Sequence, residues 1–157
     1  MNVYPIEAGN FKLDGGAMFG VVPKSLWTKT NPADADNMIE MSSRCMLVEN
    51  SDKLILVDTG MGDKQSEKFF KYYKRWGSDN LVKSINSAGF SIDDVTDVLL
   101  THLHFDHCGG AVAWDSSKEA YDVLFKNANY WSNEKHWDWA TSPNPREKAS
   151  FLVENLF

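Results

Sequence analysis

The sequence predicts an α/β fold in which a mixed sheet is flanked by helices, and three observations lead to this prediction. Two strand-like runs, at 39–50 and 53–60, meet at residues that suit a tight hairpin turn. Two helical patterns follow, over about 64–76 and 80–88. A further strand-like run, DVTDVLL at 94–100, then leads into a cluster of histidines. Strands that alternate with helices along a chain indicate an α/β architecture.

The chain before the hairpin is predicted to hold little regular structure. Residues 11–20, FKLDGGAMFG, are typical of a short strand followed by a glycine turn. Residues 21–37 are typical of a surface loop with an apolar anchor at Leu26 and Trp27.

The first helical pattern contains the run KFFKYYKRW at 68–76, which interleaves cations with aromatic residues. Its spacing favours an amphipathic helix with solvated lysines over a basic surface for RNA. The residues predicted to face inward are Phe69, Tyr72, Tyr73 and Trp76. The second helix is predicted to end before Gly89, because glycine suits a helix C-cap.

The last third of the chain is predicted to hold two strands and two helices. The strands are expected at 121–126 and 127–131, and the first helix around 133–140. A final helix is expected over 144–157.

The predicted final helix has an unusual end. Pro145 lies near its start, and Phe151, Leu152 and Leu156 share one side. Its last two residues, Leu156 and Phe157, are apolar, whereas chain termini are usually polar and frayed. We therefore expect other protein to cover this apolar surface.

Composition limits the class of protein. A chain of 157 residues fits one domain, and its net charge of −6 argues against a nucleic-acid surface. The first residues show no signal-peptide pattern, and no apolar run reaches the roughly 18 residues of a membrane span. Cys45 and Cys108 form no CxxC pair and are expected to be reduced thiols, which predicts a cytoplasmic location.

The most informative stretch is THLHFDHCGG at 101–110. It holds four candidate metal ligands, which are His102, His104, Asp106 and His107. Because a strand precedes it and two glycines follow, we predict a loop with near-extended backbone, in which residues 102, 104 and 106 project to one side and His107 follows on the turn. Leu103 and Phe105 would then pack into the core on the other side. Gly109 and Gly110 would let the backbone turn where a side chain would crowd the site.

These side chains suit divalent metal chemistry. Neutral imidazole and carboxylate bind zinc, and manganese, iron, cobalt and nickel accept similar ligands. Two ions about 3.5–4 Å apart can share a water and lower its pKa toward about 7, which supplies hydroxide for hydrolysis. Surface histidines with no shared role are the alternative, but three of the four histidines fall in this one stretch.

The same residues carry a resemblance. THLHFDHCGG resembles the HxHxDH signature of the metallo-β-lactamase superfamily, and LILVDTGMGD resembles the Asp-Thr-Gly turn of that superfamily. FKLDGGAMFGVVPKSLW is similar to the N-terminal region of lactonase-like and phosphotriesterase-like members. The resemblance implies the N-terminal half of an αββα sandwich and a hydrolase with two divalent metal ions, zinc being favoured.

The resemblance also implies roles for individual residues. His102 and His104 would bind the first metal, and Asp106 and His107 the second, with Asp106 also orienting the attacking hydroxide. Asp58 would lie beside these ligands and fix the orientation of one of them by a hydrogen bond. The alternative for Asp58 is a turn-forming residue after a strand.

The sequence departs from the family pattern in its second half. The family needs a third histidine, a bridging aspartate and a fourth histidine, and here only His136 follows the cluster, too early for the expected ligand. Other acids follow in no recognisable bridging motif, namely Asp115, Asp122, Asp138 and Glu147. Residues 1–157 therefore look like the N-terminal part of a single, shortened domain, with half of a binuclear site and weak or partial metal binding. A missing C-terminal half or a second chain, a homodimer being one arrangement, would complete it.

Two functions from different classes follow. The parent protein would be a metal-dependent hydrolase of lactones, esters or similar small molecules, with Phe19, Trp27 and Phe105 either lining an apolar entrance or belonging to the core. The alternative is a non-catalytic fragment or interaction module with weak or no metal binding. A phosphotriesterase or a metal-dependent nuclease is a lesser alternative, and the acidic charge disfavours the nuclease.

Overall fold

A five-stranded mixed sheet organises the protein in the computed structural model, which describes residues 1–156. The strands are β1 Asn2–Asp14, β2 Met38–Asn50, β3 Lys53–Val57, β4 Asp97–Leu99, β5 Val112–Trp114, β6 Tyr121–Val123 and β7 Asn129–Trp131. The helices are α1 Gly15–Phe19, α2 Lys24–Trp27, α3 Glu67–Tyr73, α4 Leu81–Ser87, α5 Phe105–Cys108 and α6 Glu134–Thr141. Short 3₁₀ turns cover Ile92–Asp94, Gly109–Ala111, Lys148–Ser150 and Val153–Asn155.

The strand order is β1-β2-β3-β4-β7, with β5 and β6 forming a separate two-stranded sheet. The first three strands pair antiparallel, and β3, β4 and β7 pair parallel. The predicted α/β class with a mixed sheet and flanking helices is therefore confirmed, and so is the hairpin of β2 and β3. Because β3 and β4 are parallel neighbours, their carboxyl ends meet at one edge of the sheet, where the histidine cluster begins.

The first strand is longer than predicted. It starts at Asn2 rather than near Phe11, and its register shifts between Glu7 and Asn10, around Gly9 with a φ of 129°. The sequence did not indicate the first part of this strand because proline and glycine, here Pro5 and Gly9, normally weaken a β-strand. Both are tolerated here because β1 is an edge strand with a bulge.

One face of the sheet carries the main core. Register places Leu47, Leu56 and Val98 side by side on consecutive strands, and all three are fully buried. Ile85 of α4 is also fully buried in the same cluster, which indicates that α4 covers this face. Burying such apolar surface is the main stabilising contribution in a domain of this size.

One row of side chains on the opposite face of the sheet is apolar and open. The next row across the strands consists of Pro5, Met46, Val57, Leu99 and Trp131. Met46 and Leu99 are each 42% exposed and Trp131 is 55% exposed. A solvated sheet face normally carries polar side chains, so this face has the chemistry of an interface.

The first long helix differs in part from its prediction. α3 ends at Tyr73, where Lys74 takes a left-handed conformation with a φ of 42°. Phe70 is the buried residue of this helix, whereas Tyr72 is 69% exposed, so its predicted inward position is wrong. Trp76 lies beyond the helix and is also exposed, because the helix ends before it.

The second helix agrees with its prediction. α4 is capped by the side chain of Asn80, which accepts a hydrogen bond from the backbone N–H of Lys83. Gly89 follows its C-terminal end with a φ of 94°. Among residues 1–156, no helix is long and apolar enough to cross a membrane.

The predicted final helix is wrong for the described residues. Two 3₁₀ turns stand in its place, because Phe151 and Leu152 between them have extended backbone angles. Phe151 is anchored in the core, where it is 5% exposed, and this anchoring interrupts a continuous helix. Leu156 packs partly against the same core, and Phe157 lies outside the described residues.

We predict that two leucines on opposite faces of the sheet differ strongly in their contribution to stability. Leu56→Ala opens a cavity in the core and should lower the free energy of unfolding by about 2–5 kcal/mol. Leu99→Ala, on the open face, should cost less than about 1 kcal/mol. Urea denaturation of both variants measures the difference. Equal costs would contradict the openness of this face in solution.

Candidate metal centre

The histidine cluster leaves the sheet at the end of β4. His104 has an extended backbone, with φ −67° and ψ 146°, and a one-turn helix, α5, follows it. Leu103 is 2% and Phe105 is 7% exposed, so both pack inward as predicted. The prediction of extended backbone at Asp106 is wrong, because Asp106 and His107 lie on α5. The helical turn therefore takes the side chains of Asp106 and His107 out of line with those of His102 and His104, which precede it.

The structure brings the four predicted site residues together. The ring centroids of His102 and His104 are 4.7 Å apart, and those of His102 and His107 are 3.9 Å apart. Nε2 of His107 lies 3.7 Å from a carboxylate oxygen of Asp106. Three imidazoles and a carboxylate therefore form one group at the carboxyl end of β4.

Asp58 lies against this group, at the end of β3. Its carboxylate accepts hydrogen bonds from the backbone N–H of Thr101, at 2.9 Å, and from the Thr101 hydroxyl. Nδ1 of His107 lies 2.8 Å from its other oxygen. The backbone of Asp58 is left-handed, with a φ of 60°, a conformation that Asp and Asn adopt more readily than most residues.

The hydrogen bonds to Asp58 decide its charge and the tautomer of His107. Burial acts to raise the pKa of Asp58, but the hydrogen bonds from His107 and Thr101 outweigh it, and the pKa falls below its usual value. Asp58 is therefore a carboxylate at neutral pH. Because it accepts a hydrogen bond from Nδ1 of His107, Nε2 is the nitrogen left to bind a ligand.

The segment that contains Asp58 also holds the backbone of the cluster. The N–H and the hydroxyl of Thr59 donate to the carbonyl oxygen of His107, at 2.7 and 3.0 Å. The N–H of Gly110 donates to the carbonyl oxygen of Gly60 at 2.9 Å. A Cβ atom on Gly110 would lie 2.2 Å from the carbonyl oxygen of Thr59, so glycine is required for this close approach. The prediction that a side chain would crowd the site here is therefore confirmed.

The protonation states differ between the histidines. Burial lowers the pKa of His102 to about 4, with the neighbouring His107 and His104 contributing. Burial also lowers the pKa of His104. For His107, burial acts to lower the pKa, but the hydrogen bond to Asp58 and the charge of Asp106 raise it above its usual value. His102 and His104 are therefore neutral at pH 7, the form in which imidazole binds metals.

One atom of the cluster has the character of an unused ligand. Nε2 of His104 is buried and, within the part of the chain that the structure describes, has no hydrogen-bond partner. A buried polar atom without a partner costs free energy. A divalent metal at this position would satisfy it, and the imidazole and carboxylate donors fit such an ion.

The ligand set is incomplete within residues 1–156, where no three His, Cys, Asp or Glu side chains are grouped closely enough to hold an ion. Asp115 and Asp122 lie in the β5–β6 hairpin, where they pair with Ser117 and Lys126. Glu147 accepts a hydrogen bond from Asn144 on the surface.

His136 lies closer to the cluster than its place in the sequence suggested. Its ring centroid is 5.7 Å from that of His102 and 6.4 Å from that of His104. Its Nδ1 is 3.4 Å from the backbone nitrogen of Leu103. The backbone N–H of Leu103 donates to Nδ1, so the ring proton of a neutral His136 lies on Nε2. Neither ring nitrogen is then free to bind a metal, and His136 is a neighbour of the cluster rather than a ligand in this geometry.

An aromatic wall beside His104 was not predicted. Phe151 lies 4.9 Å from the His104 ring, and Trp139 lies 5.7 Å from Phe151, between ring centroids. The sequence contained one signal for it, because Trp139 and His136 are three residues apart on α6 and so share a face. The contact with Phe151 joins distant parts of the chain and leaves no local pattern.

The residues predicted either to line an entrance or to belong to the core are packed. Trp27 is 5% exposed and stacks on Phe19 at 4.9 Å between ring centroids. Phe105 packs against Phe69 and Tyr73. The space beside the cluster is a cavity of about 140 Å³ whose lining includes Phe11, Met41, Ser43, Asp58, Asp106 and His107.

Comparison with known families agrees with this arrangement, since residues 39–155 match the metallo-beta-lactamase superfamily. The chain belongs to this superfamily. The match covers β2 to the last 3₁₀ turn, including the Asp58 segment and the HxHxDH cluster.

Several superfamily members are similar to this chain. An N-acyl homoserine lactonase from Bacillus cereus is 28% identical over 104 residues, which are 60% of this chain and 40% of the relative. A probable metallo-hydrolase from Mycobacterium bovis is 31% identical over 108 residues, 60% of this chain and 35% of the relative. These relatives support the lactonase-like branch that the sequence indicated.

Solved structures of the superfamily show the same fold. A probable metal-dependent hydrolase from Staphylococcus aureus superimposes with a TM-score of 0.89 at 30% identity, covering 98% of this chain and 54% of that one. AidC, a dizinc quorum-quenching lactonase solved with a product, gives a TM-score of 0.70 at 26% identity and covers 98% of this chain and 53% of its own. The chain thus spans about half of the fold in these superfamily members.

We predict that the partly buried His102 makes the metal-free chain sensitive to acid. The pKa of His102 is about 4 in the folded chain and about 6.5 in an unfolded one. Between these values the unfolded chain binds more protons, so stability present above pH 6.5 is lost as the pH falls toward 4. These two pKa values correspond to a loss of about 2 kcal/mol between pH 7 and pH 5, and solvent screening of the partly buried ring reduces it to about 1 kcal/mol, or a drop of about 3 °C in Tm.

Thermal unfolding at pH 7 and pH 5, with a chelator present, measures this loss. The variant His102→Gln should show a smaller drop than the natural sequence, because it lacks the titrating group. An identical drop in both proteins would show that His102 does not cause the acid sensitivity.

Proposed function

We propose that this chain belongs to a metal-dependent hydrolase and contributes half of its binuclear site. The observation that carries the proposal is the HxHxDH group at the end of β4, held by Asp58 at the end of the neighbouring parallel strand β3. The superfamily match and the hydrolases among the similar proteins support it.

We assign two divalent metal ions to the complete site. His102 and His104 would hold the first ion, and Asp106 and His107 the second. Zinc is the favoured ion, supported by the nitrogen and carboxylate donors and by the dizinc lactonase among the similar structures. Manganese, iron, cobalt and nickel remain alternatives because they accept the same donors.

The bound metals would polarise the substrate and lower the pKa of water, which makes hydroxide available near neutral pH. The protein residues then have distinct tasks. The neutral rings of His102 and His104 offer lone pairs without first losing a proton. Asp58 holds the proton of His107 on Nδ1, so that Nε2 is directed to the site. Asp106 would accept a hydrogen bond from the attacking water and orient it as the catalytic carboxylate.

A lactone or an ester is the proposed substrate class, and a small molecule in either case. The support is the lactonase activity named for two of the similar proteins, at 28% and 26% identity. This support is an analogy between related proteins, because pocket walls vary within a fold. A phosphotriester is the lesser alternative, and nucleic acid is disfavoured by the net charge of −6.

The rest of the site is proposed to come from a C-terminal half or from a second chain, a homodimer being one such arrangement. The open face of the sheet, with Met46, Leu99 and Trp131 exposed, supports this proposal because it has the chemistry of a covered surface. We also propose a cytoplasmic location, since Cys45 and Cys108 are free and buried.

The alternative function is a non-catalytic interaction module that binds metal weakly or not at all. The same open face favours it, because such a face would associate with other protein whether or not the cluster holds metal. The two functions differ in whether His104 matters for metal binding.

We predict that the purified chain binds Zn²⁺ through His104 and that hydrolysis of lactones or aryl esters, where present, requires added metal. His104→Ala should reduce the bound Zn²⁺ at least tenfold, because it removes one of only two protein ligands of the first ion. Native mass spectrometry reports chain mass, oligomeric state and bound metal together.

His136→Ala is the matched histidine control and should bind Zn²⁺ to within about threefold of the natural sequence, since in this geometry His136 is not a ligand. Hydrolysis that is insensitive to chelators would contradict the metal-dependent mechanism. Zn²⁺ binding that survives His104→Ala unchanged would contradict the ligand assignment.

A further inference from the structure

Lys64 is a buried cation that none of the proposed chemistry uses. Lys64 is only 5% exposed. Among the described residues, no carboxylate oxygen lies within 4.0 Å of its Nζ, the distance that defines an ion pair. Burial lowers its pKa to about 8, so it is still mostly protonated at pH 7. Lysine is rarely buried without a partner, and its partners here are therefore informative.

The partners of Lys64 are backbone carbonyl groups behind the metal ligands. Its Nζ donates to the carbonyl oxygen of Gly109 and, at 3.2 Å, to that of Val112. The first carbonyl lies near the end of the helical stretch that runs from Phe105 through Ala111, and the second belongs to the first residue of β5, directly after that stretch. The last carbonyls of a helical stretch lack internal partners, and a lysine is well suited to satisfy them.

Lys64 is itself fixed in place. The indole N–H of Trp114 donates to the Lys64 carbonyl oxygen at 3.1 Å. A Cβ atom on Gly109 would lie 2.3 Å from the carbonyl oxygen of Met61, so the two segments are in direct backbone contact. The backbone of Lys64 is therefore held close to the segment whose carbonyls its ammonium group binds.

This contact acts on one half of the proposed site more than on the other. Asp106 and His107 belong to the helical stretch whose end Lys64 holds. His102 and His104 precede that stretch, between it and β4, and His104 has an extended backbone. A shift of the stretch would move the second pair of proposed ligands more than the first pair, which lies between the stretch and β4.

We propose that Lys64 is a positioning residue that holds Asp106 and His107 in place for the second metal ion by fixing the carbonyl end of their helical stretch. The inference rests on the proposed assignment of the metal ligands. It predicts that losing the ammonium group weakens metal binding at His107 selectively, together with the hydrogen bond between His107 and Asp58.

Lys64→Met tests this inference, because methionine keeps an unbranched side chain and removes all three N–H donors. Lys64→Arg restores charged donors and serves as the conservative variant. Lys83→Met is the matched control, since Lys83 is exposed and also donates to a backbone carbonyl, that of Ser78 at 3.4 Å.

The chain has only four histidines, so NMR of ¹⁵N-histidine-labelled protein follows each imidazole separately. Zn²⁺ is titrated into each variant. Lys64→Met should raise about tenfold the Zn²⁺ concentration at which the His107 imidazole resonances have shifted halfway. This is the size of effect expected when a metal ligand loses a supporting contact. The half-shift concentrations of His102 and His104 should change less than about twofold. Lys64→Arg and Lys83→Met should resemble the natural sequence.

A second readout needs no metal. In the metal-free natural sequence, the Nδ1–H of His107 should give a slowly exchanging, downfield proton because Asp58 accepts it. This resonance should be lost or strongly shifted in Lys64→Met and retained in Lys64→Arg. Its unchanged survival in Lys64→Met would overturn the inference, whether or not the chain binds Zn²⁺.

The outcomes separate this inference from the proposed function. If none of the three cluster histidines responds to Zn²⁺ in the natural sequence, the metal assignment fails, and the metal-free resonance still tests Lys64. If all three lose affinity equally in Lys64→Met, Lys64 has only a general structural role. Should Lys64→Met not fold, Trp114→Phe removes the indole donor that fixes Lys64. It should then shift the same His107 resonance by a smaller amount, and no shift would overturn the inference.

Discussion

The contact between two segments, residues 58–64 and residues 101–112, determines the rest of the site. One segment leaves β3 and the other leaves β4, and hydrogen bonds join them along their whole length. Asp58 holds the side chain of His107, Thr59 and Gly60 hold the backbone of the histidine cluster, and Lys64 holds the end of the helical stretch. Parallel pairing of the two strands is what brings the segments side by side.

The sequence predicts the parts of this arrangement that depend on local pattern. The HxHxDH cluster, Asp58 after its strand and the inward positions of Leu103 and Phe105 all follow from residue type and spacing. The helical turn at Asp106 does not, because its backbone is also held by Thr59 and Gly60, which are distant in sequence. The segment around Lys64 was predicted as the start of a helix, whereas α3 begins at Glu67. Nothing local distinguishes a buried lysine from a solvated one.

Long-range contacts explain the remaining differences. Pro5 and Gly9 argue against a strand in isolation, yet a long neighbouring strand organises them into β1. Phe151 breaks a helix that its neighbours favour, because its side chain is held in the core beside His104. In both places, tertiary structure outweighs a local preference worth only a few tenths to about 1 kcal/mol per residue.

The backbone of Asp58 restricts which substitutions this position tolerates. Its left-handed φ of 60° favours Gly, Asn and Asp, while its hydrogen bonds to His107 and Thr101 require a short carboxylate. Glycine meets the first demand and fails the second, and glutamate has the charge with the wrong length and backbone preference. Asparagine fits the backbone but offers one acceptor oxygen and a donor that opposes the His107 N–H. Substitutions at this position are therefore limited by two independent requirements, one on the backbone and one on the hydrogen bonds, and aspartate is the residue type that meets both.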